Sequence, residues 1–375
     1  MNTTDRYDRR QLLSLCAVLL LTPALRLFPS VSVAQAGSAA WLSPLAALPP
    51  LLAYLWFLCR FLSRRNEGEG LAELASRAVG TRAARPILLF MALWLLFYAS
   101  FILRTSADRF ITTIYPNSSP PIFVIAMGLL GGVAALGAAR SFVRVGRLVL
   151  PLLYGVLGLV LLTALLAINP ENLLPIAGRE LLQASAGALP VLDVVSAVMV
   201  FYCFLVGPTP KGPGSFRAGG RWLLAIAVLL TLLAAAVLGS FGAELTAILT
   251  SPFFNLVRNL VFFRSLERVE ALVVTLWVFP DFLMISVLLF VAQHCLRLCF
   301  GLAAPYQGES LTQLHGGRWL IPLCALATIV CGCLLAPTAQ SLNLFSYRLI
   351  PAMNLGFVFL FLPGLYVVGR LRKSI

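Results

Sequence analysis

The sequence predicts an all-α integral membrane protein with ten transmembrane helices, on three observations. Of 375 residues, 60% are hydrophobic and 11% charged, against about 25% charged in soluble domains, so most of the chain cannot face water. Apolar runs recur along the whole length, each near the roughly 20 residues that cross a hydrocarbon core of about 30 Å. Alternating segments of about ten residues, which an outer-membrane barrel requires, do not repeat, so the backbone must be satisfied inside helices.

The spans follow from apolar runs and the basic or turn-forming segments between them. Span one covers about 11 to 33, behind Arg9 and Arg10, and span two about 41 to 62, ending in the basic segment Arg60, Arg64 and Arg65. Span three, about 86 to 107, follows Arg82 and Arg85; span four takes about 121 to 137; span five, about 148 to 168, follows Arg140, Arg144 and Arg147. Span six runs from about 188 to 206, span seven from about 222 to 242 behind Arg221, and span eight from about 271 to 296 before Arg297. Span nine, about 319 to 336, follows Arg318, and span ten, about 349 to 368, precedes Arg370, Arg372 and Lys373. The whole is expected to be a single polytopic domain of two halves, about 11 to 168 and about 188 to 368, divided by the Pro- and Gly-rich loop Gly207 to Gly220.

The formal charge is +14, but the basic residues lie in short loops and not on one soluble face, so topology explains them better than nucleic acid. With the amino terminus inside, twenty Lys and Arg fall on the cytoplasmic side and seven outside, which places both termini in the cytoplasm. Ala34-Gln35-Ala36 before Gly37 resembles a signal cleavage site, yet the apolar stretch outruns a signal core and holds Arg26, so span one is retained. The eight cysteines lie in or beside apolar runs without metal-ligand spacing and read as small hydrophobes. Leu71 to Val79 and Phe253 to Val269 are apolar stretches interrupted by charge and read as amphipathic helices at the interface.

Transporter folds built from inverted repeats place their site where the first helix of each half is broken. Span one carries Pro23 and Pro29 and span six carries Pro190, with Ser196-Ala197 beyond it, so breaks are expected there. Charge inside a span is more telling, since it costs about 2.5–3.5 kcal/mol on insertion scales. Arg26 and Asp193 fall at similar depth in the two spans and are expected to pair, or else to snorkel and to cap a helix end. Thr22, Pro23, Arg26, Asp193, Ser196, Ala197 and Tyr98 are the candidate ligand-binding residues, and Asp281, behind Pro280 in span eight, the candidate ion or proton site. No metal or cofactor site is expected; His294 and His315, the only histidines, lack an acid/base cluster, which argues against an enzyme.

One segment carries a resemblance. Ser251-Pro252-Phe253-Phe254-Asn255-Leu256-Val257-Arg258, then Leu266-Glu267-Arg268-Val269-Glu270-Ala271 and Trp277, resembles the GerAB family of spore germination proteins. The motif residues are Pro252, Arg258, Glu267, Arg268, Glu270 and Trp277, with support from Gln11, Gly37, Trp41, Arg144 and Asn172 to Ile176. The resemblance implies an amino acid/polyamine/organocation permease fold, LeuT-like, acting in the spore inner membrane as the B subunit of a nutrient germinant receptor. Its implied partners are the receptor's A and C subunits and a small nutrient, typically an amino acid, held at the breaks in spans one and six. The chain departs from the family in having Ala197-Val198 where members often have Gly-Glu, and Thr22-Pro23 where span one usually has a glycine. A secondary amino acid transporter coupled to protons or sodium, or a structural subunit, would use the same fold.

Overall fold

The computed structural model describes residues 7–115, 117–174, 178–209, 215–249, 251–259, 273, 275–302 and 319–374. Among these no strand occurs. Helix α1 (Arg9–Ala36) starts at a capping box in which Asp8 accepts the Arg9 N–H at 2.7 Å and the Asp8 N–H donates to Gln11 at 3.1 Å, which gives Gln11 its place before the first span. A 3₁₀ turn (Gly37–Leu42) leads into α2 (Ser43–Leu62), followed by α3 (Leu71–Val79), α4 (Thr81–Thr113), α5 (Pro120–Ala135) and α6 (Ala139–Leu166). The second half holds α7 (Gly178–Ala186), α8 (Leu189–Leu205), α9 (Ser215–Ile248), α10 (Pro252–Asn259), α11 (Val278–Cys299) and α12 (Leu320–Leu334). The last stretch is α13 (Ala339–Leu344), α14 (Ile350–Gly356) and α15 (Leu362–Leu371), joined by π-helical turns at Phe345–Leu349 and Phe357–Phe361.

Seven helical stretches among the described residues are long and apolar enough to cross a membrane, and Pro120–Ala135 and Leu320–Leu334 are shorter apolar helices. The surface confirms the solvent: on α6, Leu148 (77% exposed), Leu152, Leu159, Leu162 and Leu166 (81%) face outward while Val149, Leu153, Leu157, Val160 and Ala164 face the core. A helix apolar on its exposed face as well as its buried one is solvated by lipid, and the chain is a multi-pass membrane protein. Helix α1 lies deep, with Leu12, Leu15, Leu19 and Leu20 at 0% exposure, packed on α6, α8 and α9. That burial fits a retained core helix. Helix α4 packs along α11 and against α3, α5 and α12.

Three expectations change. The breaks expected in spans one and six are not there: α1 runs unbroken through Pro23 and Pro29, and Pro190 sits in the first turn of α8, where the missing N–H has no intrahelical partner to lose. The interruption falls in α9, where Gly242 adopts φ 73° and ψ 171°. The Asn172 amide donates to the Gly239 carbonyl beside that kink at 2.9 Å, which accounts for the loop before span six. Secondly, α3 has the expected bounds but does not lie on a surface: Leu71, Leu74, Ala75 and Ala78 are fully buried against α4, α8 and α15. Thirdly, residues 207–209 of the glycine-proline loop are tied down by Arg65, and α9 starts at Ser215, seven residues before the expected start of span seven. Residues 210–214, and most of the second amphipathic segment past Asn259, lie outside the described residues.

The turn between α7 and α8 is clamped to α1. The Ser32 hydroxyl donates to the Gly187 carbonyl at 2.7 Å, and a Cβ on Gly187 would stand 2.5 Å from Ser43 Oγ, 2.8 Å from Ala36 Cβ and 3.1 Å from the Ser32 carbonyl oxygen. Gly187→Ala is therefore expected to destabilise the protein by about 1–3 kcal/mol through overpacking, read as a lower midpoint of thermal unfolding in detergent. Gly155→Ala, at a position with open space around the added methyl, is the control that should leave the midpoint in place.

Candidate functional site

Two charged or polar groups on different helices meet the same face of α4. On α8, Asp193 is 2% exposed and accepts a hydrogen bond from the Asn354 amide at 2.9 Å. Asn354, fully buried on α14, accepts in turn from the Trp94 indole N–H at 3.1 Å. Asn354 sits on the one helical piece between the two π turns, and such turns shift the phase of a helix face. Trp94 stacks on Phe357 with centroids 3.9 Å apart and planes 4° apart, and next to it come Tyr98 and Phe201. Ser196 and Ala197 are fully buried on α8; the Ser196 hydroxyl donates to the Asp193 carbonyl at 3.3 Å.

On α1, Thr22, Arg26 and Ser30 recur every four residues and so share one stripe, next to Pro23. All three are buried, Arg26 to 8% exposure, yet among the described residues Thr22 Oγ1, Arg26 Nη1 and Ser30 Oγ have no hydrogen-bond partner. The Arg26 guanidinium lies over the Phe101 ring at 5.6 Å. The expected Arg26–Asp193 pair is not formed. Asp193 takes the neutral amide of Asn354, which satisfies a carboxylate without bringing in a second charge, and Arg26 takes the face of Phe101, about two turns along α4 from Trp94. The two groups remain linked through α4, since Tyr98 stands 6.3 Å from Phe101 and 5.9 Å from Phe201.

Asp281 also differs from expectation. It lies in the first turn of α11, 1% exposed, and its Oδ2 accepts from Arg109 at 2.7 Å and from the Ser106 hydroxyl, while Oδ1 has no hydrogen-bond partner among the described residues. Arg109 provides its cation, and a carboxylate in a first turn is favoured by the positive end of the helix. The Arg109 guanidinium lies 5.3 Å from the Phe254 ring, and Phe253 and Phe254 pack on the fully buried Trp277. The segment from Pro252, which opens α10, thus braces the Arg109–Asp281 pair. Arg258 lines a cleft beside it, and Glu267, Arg268 and Glu270 lie outside the described residues.

At the end of the bundle that carries the chain termini, the helices are sealed. Arg65 donates to the carbonyls of Val206 and Thr209 at 2.9 Å each, filling the acceptors at the C-terminus of α8. The Tyr7 hydroxyl donates to the Leu205 carbonyl, and Glu73 of α3 meets His294 of α11 at 2.5 Å. Burial would raise the Glu73 carboxyl, but His294 and the N–H groups of Glu73 and Gly70 outweigh it and hold it below the usual carboxylate range. His294 is thus a structural partner of α3, and His315 lies outside the described residues. Asn354, Trp94, Ser106 and Arg109 escaped the sequence reading. Asn354 had a signal, an amide within an otherwise apolar run, whereas Arg109 reads as a loop cation until α4 is seen to extend to Thr113.

Over residues 7–339 the chain matches the family described as spore germination protein. Among curated proteins none matches its sequence. Among solved structures it is similar to a Na⁺-coupled sialic acid symporter in a substrate-bound outward-open state, at 10% identity and a TM-score of 0.60, over 95% of this chain and 80% of that one. It is also similar to a nucleobase-cation-symport-1 family transporter in a closed conformation with bromovinylhydantoin bound, at 15% identity and a TM-score of 0.56, over 95% of this chain and 79% of that one. At these identities the likeness is one of fold.

Breaking a buried pair strands its partner, so Asp281→Asn and Arg109→Met are each expected to cost about 3–5 kcal/mol. The double variant should unfold later than either single one in a detergent melt. Additive losses would show that the two groups are not coupled.

Proposed function

The chain belongs to the spore germination protein family, and from that premise we propose that it is the B subunit of a nutrient germinant receptor. It acts in the spore inner membrane, with both termini cytoplasmic and the A and C subunits as partners. In this reading the chain is one domain of ten spans in a 5+5 inverted repeat, and it binds a small nutrient, such as an amino acid, inside a permease-like bundle. The observation that carries the proposal is the stripe Thr22, Arg26 and Ser30 on α1, whose Oγ1, Nη1 and Oγ have no hydrogen-bond partner among the described residues, on the same α4 face as Asp193 and Asn354. A native bundle leaves few buried polar groups unpaired, and an arginine N–H in hydrocarbon surroundings is among the costliest to leave.

A zwitterion resolves that imbalance. Its carboxylate goes to Arg26 and the Thr22 hydroxyl, its ammonium to Asp193, and its side chain lies against Tyr98 and Phe101. Ser196 and Ala197 shape the α8 side of the same site. A ligand that binds one arrangement of the helices better than another shifts their populations by that difference alone, and the A subunit reads the shift. The second reading, a secondary amino acid transporter coupled to protons or sodium, is favoured by the symporter-like fold. There Asp281 would take the coupling ion after release of Arg109.

The test follows release of dipicolinic acid from spores offered single amino acids, sugars and nucleosides. Deletion of the gene should abolish the response to one nutrient and leave others intact. Asp193→Asn and Arg26→Gln, at wild-type abundance in the spore membrane, should each raise the nutrient concentration for half-response by about tenfold or more, one charged contact being worth about 1.5–3 kcal/mol. Full responses in both variants would remove the proposed site, and uptake of the nutrient by vesicles lacking the A and C subunits would favour transport.

A further inference from the structure

Where α2 and α15 meet, at the end of the bundle that carries the chain termini, arginines gather around one phenol. Arg60, in the last turn of α2, donates its Nε–H to the Tyr366 hydroxyl at 3.3 Å, and its guanidinium lies over the Trp56 ring at 5.6 Å. Phe57 and Phe61 meet the Tyr366 ring edge to face at 5.7 and 5.6 Å, which fixes where the phenol stands. A second arginine follows on each side: Arg370 one turn along α15 from Tyr366, and Arg64 in the turn that closes α2 after Arg60. The charges of both act on the same phenol, and all three arginines are exposed.

The partners that hold Arg60 are neutral. A phenol and an indole face fix a guanidinium without offsetting its charge. Glu69, in the loop beyond α2, is taken by Arg77 at 3.0 Å and by Asn66 at 2.6 and 2.9 Å. Like charges brought to one phenol repel one another, and an anion set among them replaces that repulsion by attraction. Trp56, 57% exposed, and Tyr366 mark the depth of the cluster, since amphipathic rings rest at the level of the lipid headgroups. One to two turns deeper, Leu360 faces outward at 76% exposure and Gly364 has open space around it, which gives an acyl chain an apolar surface and room beside it.

We infer that this junction binds an anionic phospholipid, its phosphate held by Arg60, Arg64 and Arg370 and an acyl chain lying along α15. A guanidinium fork matches phosphate oxygens, and basic clusters between helix ends suit anionic headgroups. The lipid bridges α2 and the last helix of the bundle. The site shares no residue with the nutrient site proposed above, so the two fail separately.

The experiment counts the lipid retained by the full chain in native mass spectra from detergent, titrated with dioleoylphosphatidylglycerol, dioleoylphosphatidylcholine or glycerol 3-phosphate. The wild type is expected to retain phosphatidylglycerol in preference to phosphatidylcholine and to retain no glycerol 3-phosphate. Arg60→Gln, Arg64→Gln and Arg370→Gln, all at exposed positions that the fold tolerates, should each weaken phosphatidylglycerol about fivefold, the effect of one arginine at an anionic membrane surface. The control is Arg147→Gln, which removes the same charge from an exposed site on α6 next to Gly146, where that helix abuts Leu15 of α1 at the same end of the bundle; it should leave retention unchanged. The inference is overturned if the two lipids are retained equally, if glycerol 3-phosphate binds as well as the lipid, if none of the three variants weakens retention, or if Arg147→Gln weakens it as much as Arg60→Gln, which would show only the net charge of that surface.

Discussion

In hydrocarbon a polar side chain finds a partner inside the protein or stays without one, and this constraint arranges the bundle from α1 to α15. Most buried groups obey it locally. Ser100, Ser286 and Ser346 return their hydroxyls to carbonyls one turn back. Others tie distant helices: the Asn354 side chain joins α14 to Asp193 on α8 and Trp94 on α4, and Arg104 reaches across to the carbonyl of Ala336 past the end of α12. Against that background Thr22 Oγ1, Arg26 Nη1 and Ser30 Oγ, with no hydrogen-bond partner among the described residues, gather in one stripe on a deeply packed helix.

The two ends of the bundle solve different problems. At the terminal end Arg65 fills backbone carbonyls, so a charge is spent on neutral acceptors and the α8 terminus is held against the loop after α2. Glu73 and His294 hold α3 to α11 at the same end. At the distal end the charges face one another, Arg109 against Asp281 at 2.7 Å and Arg104 against Asp108 at 3.7 Å.

Much of this was legible residue by residue. Arg26, Asp193 and Asp281 stand out in an apolar chain because charge in a span is costly, and all three prove to be buried. Their partners were not legible. Span one and span six place Arg26 and Asp193 at similar depth, but depth does not say which way a side chain turns about its helix, and each turned to a different part of α4. Proline was read as a break because it removes a hydrogen bond; in α1 the helix carries Pro23 and Pro29 without interruption, and the bend went to Gly242, whose positive φ needs no side-chain compromise.

The sequence by itself determined the solvent, the helical class, the approximate position of each apolar span and the family, because hydropathy and a motif with fixed spacing are local properties of the chain. The tertiary structure alone decided which buried charges are matched and which are left over. Pairing depends on helix rotation, on the π turns that aim Asn354, and on the length by which α4 carries Arg109 to Asp281, and these are set by packing among helices far apart in sequence.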